Sequence, residues 1–448
     1  MEKKKIIIIG AGISGLTIAN GLIRSGISNN EILVLEQKDR PGGLIKTTID
    51  NGFLTEWGPE GLRGKSENTH YLFSLIDKEK IAASDEAAKR YLVKNGKLVT
   101  VPSGPISAIF TPLIPFFGKL RLLKEPFIKP TTEEETVKEF ISRRFGKGLV
   151  PILDAFVTGI FGGNISEINV KYSFPMLKQA ELFGGSVIRG FLKQNKISKN
   201  SGKKKDKTKQ PHLYTTEKGM QGIIDDLSTK VNIKYNTTIT EINSNSDTIQ
   251  INSNAEQYSC DKLIVATGVS ASNRIKFFDE PILPLNNQSV ISIVTLGYNP
   301  TAFPKPLNGY GFLSPSSEEV GILGTLFTSR LFPHHSKNNV ELLRVFVGGK
   351  RHPEKIKLNP EEIIQQVIQD LNKLLNLQEE PIYTSIVSHN PDGISQFQMN
   401  HSIYINWKEH IETKYNQITL AGIGWTSISC DGLIAEARKI INKISPQS

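Results

Sequence analysis

The run "IIIIGAGISGL", from Ile6 to Leu16, constrains the fold of this chain more than any other feature. Four consecutive isoleucines are typical of a strand that is buried on both faces, as in a parallel sheet. The glycines that follow fit G-x-G-x-x-G, the turn from a strand into a helix that binds a nucleotide phosphate. We therefore expect a parallel sheet with a nucleotide at its first turn, although this run alone does not distinguish NAD, NADP, FAD or an empty turn.

The residues of this turn have separate predicted roles. Gly10 allows the tight turn, Gly12 lets the backbone approach the pyrophosphate, and Gly15 lets the helix pack closely on the strand. The N–H groups of the first helical turn carry a partial positive charge that favours an anion. The predicted phosphate site comprises Gly10, Ala11, Gly12, Ile13, Ser14 and Gly15.

A carboxylate after the second apolar run narrows the choice of nucleotide. Glu36 ends "EILVLE" and lies 21 residues after Gly15. A carboxylate at this distance accepts hydrogen bonds from ribose hydroxyls and repels a 2′-phosphate. We therefore predict that Glu36 binds a ribose and that NADP is disfavoured.

A second glycine-rich segment, "RPGGLIKT", begins at Arg40. Arg40 is expected to place a cation near the pyrophosphate, and Gly42 and Gly43 are expected to let the main chain approach it. This segment resembles the corresponding one in the flavoprotein oxidases of the amine oxidase and protoporphyrinogen oxidase superfamily. That resemblance implies FAD as the cofactor, one per chain, and includes Leu44 in the same loop.

Three further segments resemble the FAD-binding elements of that superfamily. "EWGPEG" resembles the loop close to the flavin, "VNIKY" the segment whose backbone pairs with adenine, and "LAGIGWTSISCDGLIAEA" a helix start that points at the flavin pyrimidine. The family's last motif usually reads G-V-x-V-N-D-C, so side chains near the pyrimidine differ here. The resemblance implies cofactor contacts from Gly58, Pro59, Glu60, Gly61, Val231, Gly422, Ile428, Ser429 and Cys430.

The middle of the chain resembles the protoporphyrinogen oxidase family in particular. The matching segments include "KRYLVKNGKLVTVP", "GIFGGN", "GFLSPSSEEVGILGTLF", "RVFVGG" and "QFQMNH". The resemblance implies six-electron oxidation of protoporphyrinogen IX to protoporphyrin IX in haem biosynthesis, through FAD, with three O2 reduced to three H2O2. It implies a propionate-binding Arg90 and further substrate contacts from Gly324, Leu326, Phe327 and Phe346. No residue is predicted as the catalytic base or as a metal ligand.

Three other functions stay open from the sequence. The nearest is a coproporphyrinogen III oxidase of the same family, which forms coproporphyrin III. The "GGN" after Phe161 favours protoporphyrinogen, because relatives that oxidise coproporphyrinogen carry "AGD" there. The others are an amine or carotenoid-type oxidase on the same FAD scaffold and a flavoprotein that carries porphyrin without catalysis.

The order of the elements predicts a mixed α/β and α+β fold. Glycine turns at both ends of the chain predict a discontinuous Rossmann-type FAD-binding domain, with a sheet-based substrate domain and a helical insertion threaded through it. The FAD-binding domain is assigned 1–89, 212–270 and 414–448, the substrate domain 90–104 and 271–413, and the insertion 105–211.

Hydrophobic periodicity predicts the individual elements. Residues 133–160 and 176–192 have helical spacing, and 289–298 and 340–348 alternate as in paired strands. Glu361–Leu375 is expected to be a helix whose apolar stripe lies in the core.

The formal charge of +10 is concentrated in one segment, Lys193–Lys209, which holds eight lysines and one aspartate. Because it has almost no apolar residues, it predicts a mobile loop that is either solvated or in contact with acidic lipid headgroups. No aromatic residues interleave with these lysines, which argues against nucleic acid as a partner.

The run Pro105–Phe117 is apolar but is too short, and too often interrupted by proline, to span a bilayer. It is either ordinary core and loop, or an apolar surface that enters a membrane interface or forms a substrate entrance. The two cysteines lie far apart in sequence, which favours a reducing compartment, and no signal peptide is predicted. We therefore expect a cytoplasmic protein that can bind peripherally to the inner face of the membrane, and the family resemblance suggests a homodimer.

Overall fold

The structure is a computed structural model that describes residues 2–104, 107, 110–200, 212–245, 248–387 and 393–445. The chain divides into two compact units. Unit 1 comprises the described residues within Met1–Ala83, Pro211–Gln288 and Ser402–Ser448, and unit 2 those within Ser84–Gln210 and Ser289–His401.

The elements are numbered in chain order. The strands are β1 (Glu2–Ile9), β2 (Ile32–Leu35), β3 (Thr47–Asp50), β4 (Phe53–Glu56), β5 (Leu62–Arg63), β6 (Ile81–Ala82), β7 (Arg90–Lys94), β8 (Lys97–Thr100), β9 (Leu213–Thr215), β10 (Ile233–Lys234), β11 (Ile239–Asn245), β12 (Thr248–Ser253), β13 (Gln257–Val265), β14 (Lys276–Phe277), β15 (Gln288–Ser289), β16 (Ile291–Tyr298), β17 (Gly311–Leu313), β18 (Ile322–Phe327), β19 (Glu341–Gly348), β20 (Tyr383–Val387), β21 (Ile394–Ser395) and β22 (Ile418–Leu420). The helices are α1 (Ile13–Arg24), α2 (Glu67–Phe73), α3 (Phe116–Leu122), α4 (Val137–Arg144), α5 (Val150–Phe161), α6 (Val170–Ser173), α7 (Pro175–Gly184), α8 (Val187–Asn200), α9 (Gly219–Thr229), α10 (Val269–Ser272), α11 (Thr328–Leu331), α12 (Pro360–Leu375), α13 (Ser402–Lys414) and α14 (Cys430–Ile444).

The main sheet of unit 1 has the order β10-β2-β1-β13-β12-β11-β14, with β22 paired to β13. Strands β10, β2, β1, β13 and β22 run parallel to one another. Ile6 and Ile8 pack into a core with α1 and α14, whereas Ile7 and Ile9 pack into a second core on the other face. This two-sided burial is why the strand is made of consecutive isoleucines, and the predicted Rossmann-type architecture is confirmed.

The main sheet of unit 2 has the order β20-β16-β19-β18-β17-β7-β8. The two predicted strands are confirmed as β16 and β19, which pair antiparallel along their whole length. The predicted helix at 361–375 is confirmed as α12, and its buried residues Val367 and Leu371 join a core with Val294 and Val345 of the sheet. This core covers one face of the sheet, and on the opposite face Leu92 and Leu313 pack with Leu113 and Ala155 in a smaller cluster.

Glycines divide the two long helical segments that the periodicity predicted. Residues 133–160 form α4 and α5, which are separated at Gly146, where φ is +90°. Residues 176–192 fall in α7 and α8, which are separated at Gly185, where φ is +70°. Both values lie in the left-handed region that ends a helix, and periodicity of apolar residues does not detect such a break.

The prediction of a mobile lysine loop was wrong for its first part, because α8 continues to Asn200. The amino end of this helix is fixed by the Glu125 carboxylate, which accepts hydrogen bonds from Val187 N at 2.9 Å and from Ser186 Oγ at 2.6 Å. Lysine is a good helix former, so the helix extends into the basic segment. The remainder of that segment, 201–209, lies outside the described residues.

The units differ in composition from the domains expected from the sequence. The described helices of 105–211 belong to the same compact unit as the substrate sheet. Residues 271–288 and 402–413 belong instead to unit 1, where β14 pairs with β11. Part of Pro105–Phe117, at positions 105, 106, 108 and 109, lies outside the described residues. Nowhere in the described chain is a helix both long enough and apolar enough to cross a bilayer.

Candidate functional site

The parallel strands of unit 1 bring several predicted residues to one edge of the sheet. Gly10 N donates to Leu35 O, Ala266 N donates to Ile9 O, and Ala421 N donates to Val265 O. Each of these hydrogen bonds is 2.8 Å long. Because β1, β2, β13 and β22 are parallel, the residues that follow them lie at the same carboxyl edge. The Gly10 turn, Glu36 and the Gly422 turn therefore meet here, as the sequence predicted.

The first turn leaves room for a ligand above Gly12. A Cβ added at Gly12 would have no heavy atom within 4 Å, whereas one added at Gly15 would lie 2.0 Å from Gly10 O. Gly15 is therefore required for helix α1 to approach the strand, and Gly12 leaves open space beside the first turn of α1. The first N–H groups of an α-helix have no partner within the helix, so this open space suits an anion.

Glu36 lies beside the first turn and is 6% exposed. Its Oε2 accepts a hydrogen bond from Ala11 N at 2.8 Å, and its Oε1 accepts one from Lys38 N at 2.9 Å. A carboxylate has about four acceptor sites, so two bonds to the backbone fix its orientation and leave capacity for ribose hydroxyls.

The second glycine loop lies against the first turn. Gly42 N donates to Ala11 O at 2.8 Å, and Gly12 and Gly42 form an isolated parallel bridge. A Cβ added at Gly43 would lie 3.5 Å from Gly12 Cα. The two loops therefore form one backbone surface, as expected from their residue types.

Arg40 has a structural role that the sequence did not predict. Its guanidinium donates to Pro41 O at 3.0 Å, Ile45 O at 3.1 Å and Gly43 O at 3.1 Å. The side chain thus binds the carbonyl groups of its own loop and keeps the glycines in place. Its positive charge stays within the loop, where it also favours an anion.

The loop that begins at Gly58 packs on the same surface. A Cβ added at Gly58 would lie 2.9 Å from Leu44 O, and Trp57 N donates to Lys46 O at 2.8 Å. The antiparallel pair β3 and β4 leads the chain into this contact. Pro59, Glu60 and Gly61 follow directly, and Glu60 is 5% exposed.

Val231 is separated from the other predicted cofactor residues. Strand β10 runs parallel to β2, with Lys234 opposite Leu35, so Val231 lies at the amino end of this pair. The backbone beside Glu36 belongs to residues that follow Val231. Glu36 N donates to Lys234 O, and Thr237 N donates to Glu36 O, each at a distance of 2.9 Å. The backbone next to Glu36 is therefore that of residues 234–237 rather than that of Val231.

The second glycine turn leads into helix α14. Gly424 N donates to Ser427 O at 2.9 Å, and the Ser429 side chain caps α14 by accepting a bond from Gly432 N at 3.1 Å. Ile428, Ser429 and Cys430 thus form the entry to this helix, as predicted. Burial raises the pKa of the Cys430 thiol to about 12, which supports a packing role rather than a reactive thiolate.

In unit 2, the strand register places four of the five predicted substrate residues on one face. Gly311 is opposite both Arg90 and Leu326, and Gly324 is opposite Phe346. Residues directly opposite each other share a face. Arg90 is exposed and Leu326 and Phe346 are half-buried, and the Arg90 guanidinium lies 5.0 Å from the centre of the Tyr310 ring.

Phe327 lies on the other face of this sheet. It is 1% exposed and belongs to the core that contains α12, where its ring packs edge-on against Phe312. Neighbouring residues in a strand point to opposite faces, so Leu326 and Phe327 could not both line the same surface. The expected substrate contact of Phe327 is therefore not supported by its position.

Comparison with known proteins identifies the family of this chain. Residues 13–437 match the family described as flavin containing amine oxidoreductase. The chain belongs to this family. Membership of this family implies a flavin cofactor.

The curated relatives of this chain include proteins named for two different porphyrinogen substrates. The chain is 30% identical to the mitochondrial protoporphyrinogen oxidase of Nicotiana tabacum, over 87% of this chain and 86% of that protein. It is 24% identical to the coproporphyrinogen III oxidase of Bacillus subtilis (strain 168), over 98% of this chain and 97% of that protein. The solved cyclohexylamine oxidase from Brevibacterium oxydans IH-35A has the same fold, with a TM-score of 0.72, 16% identity and coverage of 99% of this chain and 100% of that one.

The structure adds residues that the motifs of this flavoprotein did not reveal. Arg344 is 2% exposed and lies opposite Leu326, on the face that carries Phe346. The alternation within β19 could have placed it there. Lys408 and Glu436 contact the Gly422 turn, and no local pattern connects residues so far apart in sequence.

Proposed function

We propose that this flavin-dependent enzyme oxidises a porphyrinogen to a porphyrin, with protoporphyrinogen IX as the first candidate substrate. The observation that carries the proposal is the shared face of Arg90, Leu326, Gly324 and Phe346. A cation beside an apolar surface and an aromatic ring suits a flat molecule that carries carboxylates. The names of the curated relatives support the same class of substrate.

The proposed cofactor is FAD. The open space at Gly12 and the start of α1 suit its pyrophosphate, and the oriented carboxylate of Glu36 suits its adenosine ribose. The entry to α14 supplies backbone N–H groups for the flavin pyrimidine. When bound, FAD supplies an acceptor for two electrons at a time.

The residues of this chain bind and orient the substrate in this proposal. Arg90 binds a propionate carboxylate, and the Tyr310 ring, over which its guanidinium lies, attracts the same cation. Leu326 and Phe346 contact the macrocycle and exclude water from it. Conversion of a porphyrinogen to a porphyrin removes six electrons and six protons, and three O2 take them up in three rounds to give three H2O2.

An anaerobic and aerobic assay of the purified holoenzyme tests this proposal. We expect fluorescent protoporphyrin to form only with O2, with about three H2O2 released per porphyrin. Under anaerobic conditions, we expect the visible absorbance of the flavin to bleach on addition of porphyrinogen. A protein that contains FAD but neither bleaches nor forms porphyrin would disprove the proposal.

Coproporphyrinogen III is the second candidate substrate. Of the two curated relatives described above, the one that covers more of this chain, 98% against 87%, is named for this substrate. The two porphyrinogens differ in their propionate and vinyl groups, so Arg90 can serve both. Side-by-side kcat/KM values decide between them, and a ratio of ten or more for either substrate would assign it.

We also propose that the helical part of unit 2 contacts a membrane surface. Phe110, Phe116, Phe117 and Phe127 are each about 70–80% exposed, and Leu123 is 71% exposed. A soluble surface rarely exposes so many large apolar side chains close together in sequence.

Basic residues accompany this apolar surface. Lys124 and Lys129 are exposed beside it in sequence, and α8 presents Lys193 and Lys196 together with the exposed apolar Leu192. Apolar side chains that enter the headgroup region and lysines that attract anionic lipid are the two components of peripheral binding.

Cosedimentation with vesicles tests this part of the proposal. We expect binding to vesicles that contain anionic lipid at low salt, weaker binding at high salt, and loss of binding in a Phe116→Ser/Phe117→Ser variant. Equal recovery of the wild-type protein in the supernatant with and without vesicles would contradict it.

A further inference from the structure

Side chains of α13 take the place of a neighbouring strand beside β22. In the described residues, β22 pairs only with β13, so its other side needs hydrogen-bond partners. Leu420 N donates to Glu412 Oε1 at 2.7 Å, and Lys408 Nζ donates to Leu420 O. Lys408 and Glu412 are four residues apart on α13, and their charged atoms are 3.9 Å apart.

Glu436 of α14 extends this arrangement to the glycine turn. Gly422 N donates to Glu436 Oε2 at 3.0 Å, and Lys408 Nζ donates to Glu436 Oε1 at 3.0 Å. One carboxylate therefore joins the turn, α13 and α14. The side chains of Lys408 and Glu436 are only 15% and 12% exposed, so this charge pair is stronger than one on the open surface.

The other side of the turn is fixed by backbone contacts. Gly422 has a φ of +103°, and a Cβ there would lie 2.7 Å from Gly268 N and 2.8 Å from Ala266 O. Gly268 N also donates to Ala421 O at 3.2 Å. The turn is thus held between the end of β13 and the Lys408–Glu436 pair.

An aromatic contact repeats this link between α13 and the turn. Trp407 of α13 stacks on Trp425, with ring planes 8° apart and centroids 6.1 Å apart. Trp425 is fully buried, and Lys408 Nζ lies 5.9 Å from the centre of its ring. Two consecutive residues of α13, Trp407 and Lys408, therefore both lie against Trp425.

We propose that Lys408 and Glu436 are positioning residues of the flavin site, which set the path of the Gly422 turn and the start of α14. The proposal rests on the proposed FAD site. Neither side chain needs to touch the cofactor, because Glu436 acts through Gly422 N and Lys408 acts through Leu420 O and Glu436. Removal of either charge weakens the pair that holds Gly422 N, so the outer side of the turn is fixed less firmly.

Reconstitution of the apoprotein with FAD tests this role independently of porphyrinogen. For Glu436→Gln and Lys408→Met, we expect the Kd for FAD to rise about tenfold, as for the loss of one hydrogen bond to a charged group. We also expect a shifted visible absorption and circular dichroism spectrum of the bound flavin. Lys408→Arg, which keeps a cation that can donate to both partners, should recover most of the affinity.

A matched control comes from the next residue of α13. Glu409 is exposed, so Glu409→Gln should leave the Kd and the flavin spectrum at wild-type values. If Glu436→Gln and Lys408→Met lower only the melting temperature of the apoprotein, while the Kd and spectrum stay unchanged, the inference is wrong. A wild-type protein that does not bind FAD would instead overturn the proposed cofactor, and this inference with it.

Discussion

Gly42 donates its backbone N–H to the carbonyl oxygen of Ala11 at a distance of 2.8 Å, so the second glycine loop lies directly against the first glycine turn. Gly42 has a φ of +110°, and a Cβ there would lie 2.6 Å from Ile45 O. Only glycine satisfies both conditions. The contact between the loops therefore depends on a single residue that has no side chain.

We expect Gly42→Ala to purify with less than about half of the wild-type FAD content, because strain of about 1–2 kcal/mol and the steric clash move the loop. Flavin absorbance per chain measures this loss. Gly26→Ala is the control, since Gly26 has a φ of +100° but no atom within 4 Å of an added Cβ. It should lose stability without losing FAD, and equal FAD loss in both variants would refute the assignment of the loop.

Arg90→Ala should raise KM for the porphyrinogen about tenfold, the size expected for a lost charge-assisted contact. The kcat should change little, because Arg90 binds a remote carboxylate rather than the reacting atoms. Arg90 is exposed, so the melting temperature should stay at the wild-type value. An unchanged KM would remove Arg90 from the proposed substrate site.

In contrast to Arg90→Ala, Phe327→Leu should lower the stability of the protein and leave its kinetic constants nearly unchanged. Its ring is buried in the core with Phe312, so we expect a loss of about 1–2 kcal/mol in the free energy of unfolding. The kcat and KM of the folded enzyme should stay within about twofold, since the side chain points away from the face of Phe346. A large rise in KM without loss of stability would return Phe327 to the substrate site.

Because both cysteines have raised pKa values, we expect the free energy of unfolding to fall at alkaline pH. Burial raises the pKa of Cys260 and of Cys430 to about 12, against about 8.5 for an unfolded thiol. Because the unfolded chain releases these protons first, each thiol leaves stability unchanged below about pH 8.5 and lowers it as the pH rises from there towards 12. The expected loss is about 1 kcal/mol per thiol at pH 9.5.

Denaturant unfolding at pH 7.5 and 9.5 measures this effect, with a Cys260→Ala/Cys430→Ala variant as the comparison. Between pH 7.5 and 9.5, the free energy of unfolding of the wild-type protein should fall more than that of the variant. The Cys260 thiol, which is 0% exposed, should also react slowly with a disulfide reagent at pH 8 in the native protein, and its rapid reaction would contradict this burial.

Local features of the sequence were enough to predict the elements that depend on local geometry. Ile6–Ile9 had to form a strand buried on both faces, and Gly10, Gly12 and Gly15 had to form a tight turn, because each requirement is set by a residue's own backbone or by its near neighbours. The family resemblance extended this to FAD and to the closing glycine turn.

Strand register and contacts between distant segments were decided only by the tertiary structure. Leu326 and Phe327 are adjacent in sequence, yet the sheet sends them to opposite faces, and the order of parallel strands places Val231 at the far end of β10 from Glu36. Lys408 and Glu436 come together because α13 packs beside β22. Each of these outcomes depends on which elements pack together, and that is settled by the burial of whole faces rather than by any short run of residues.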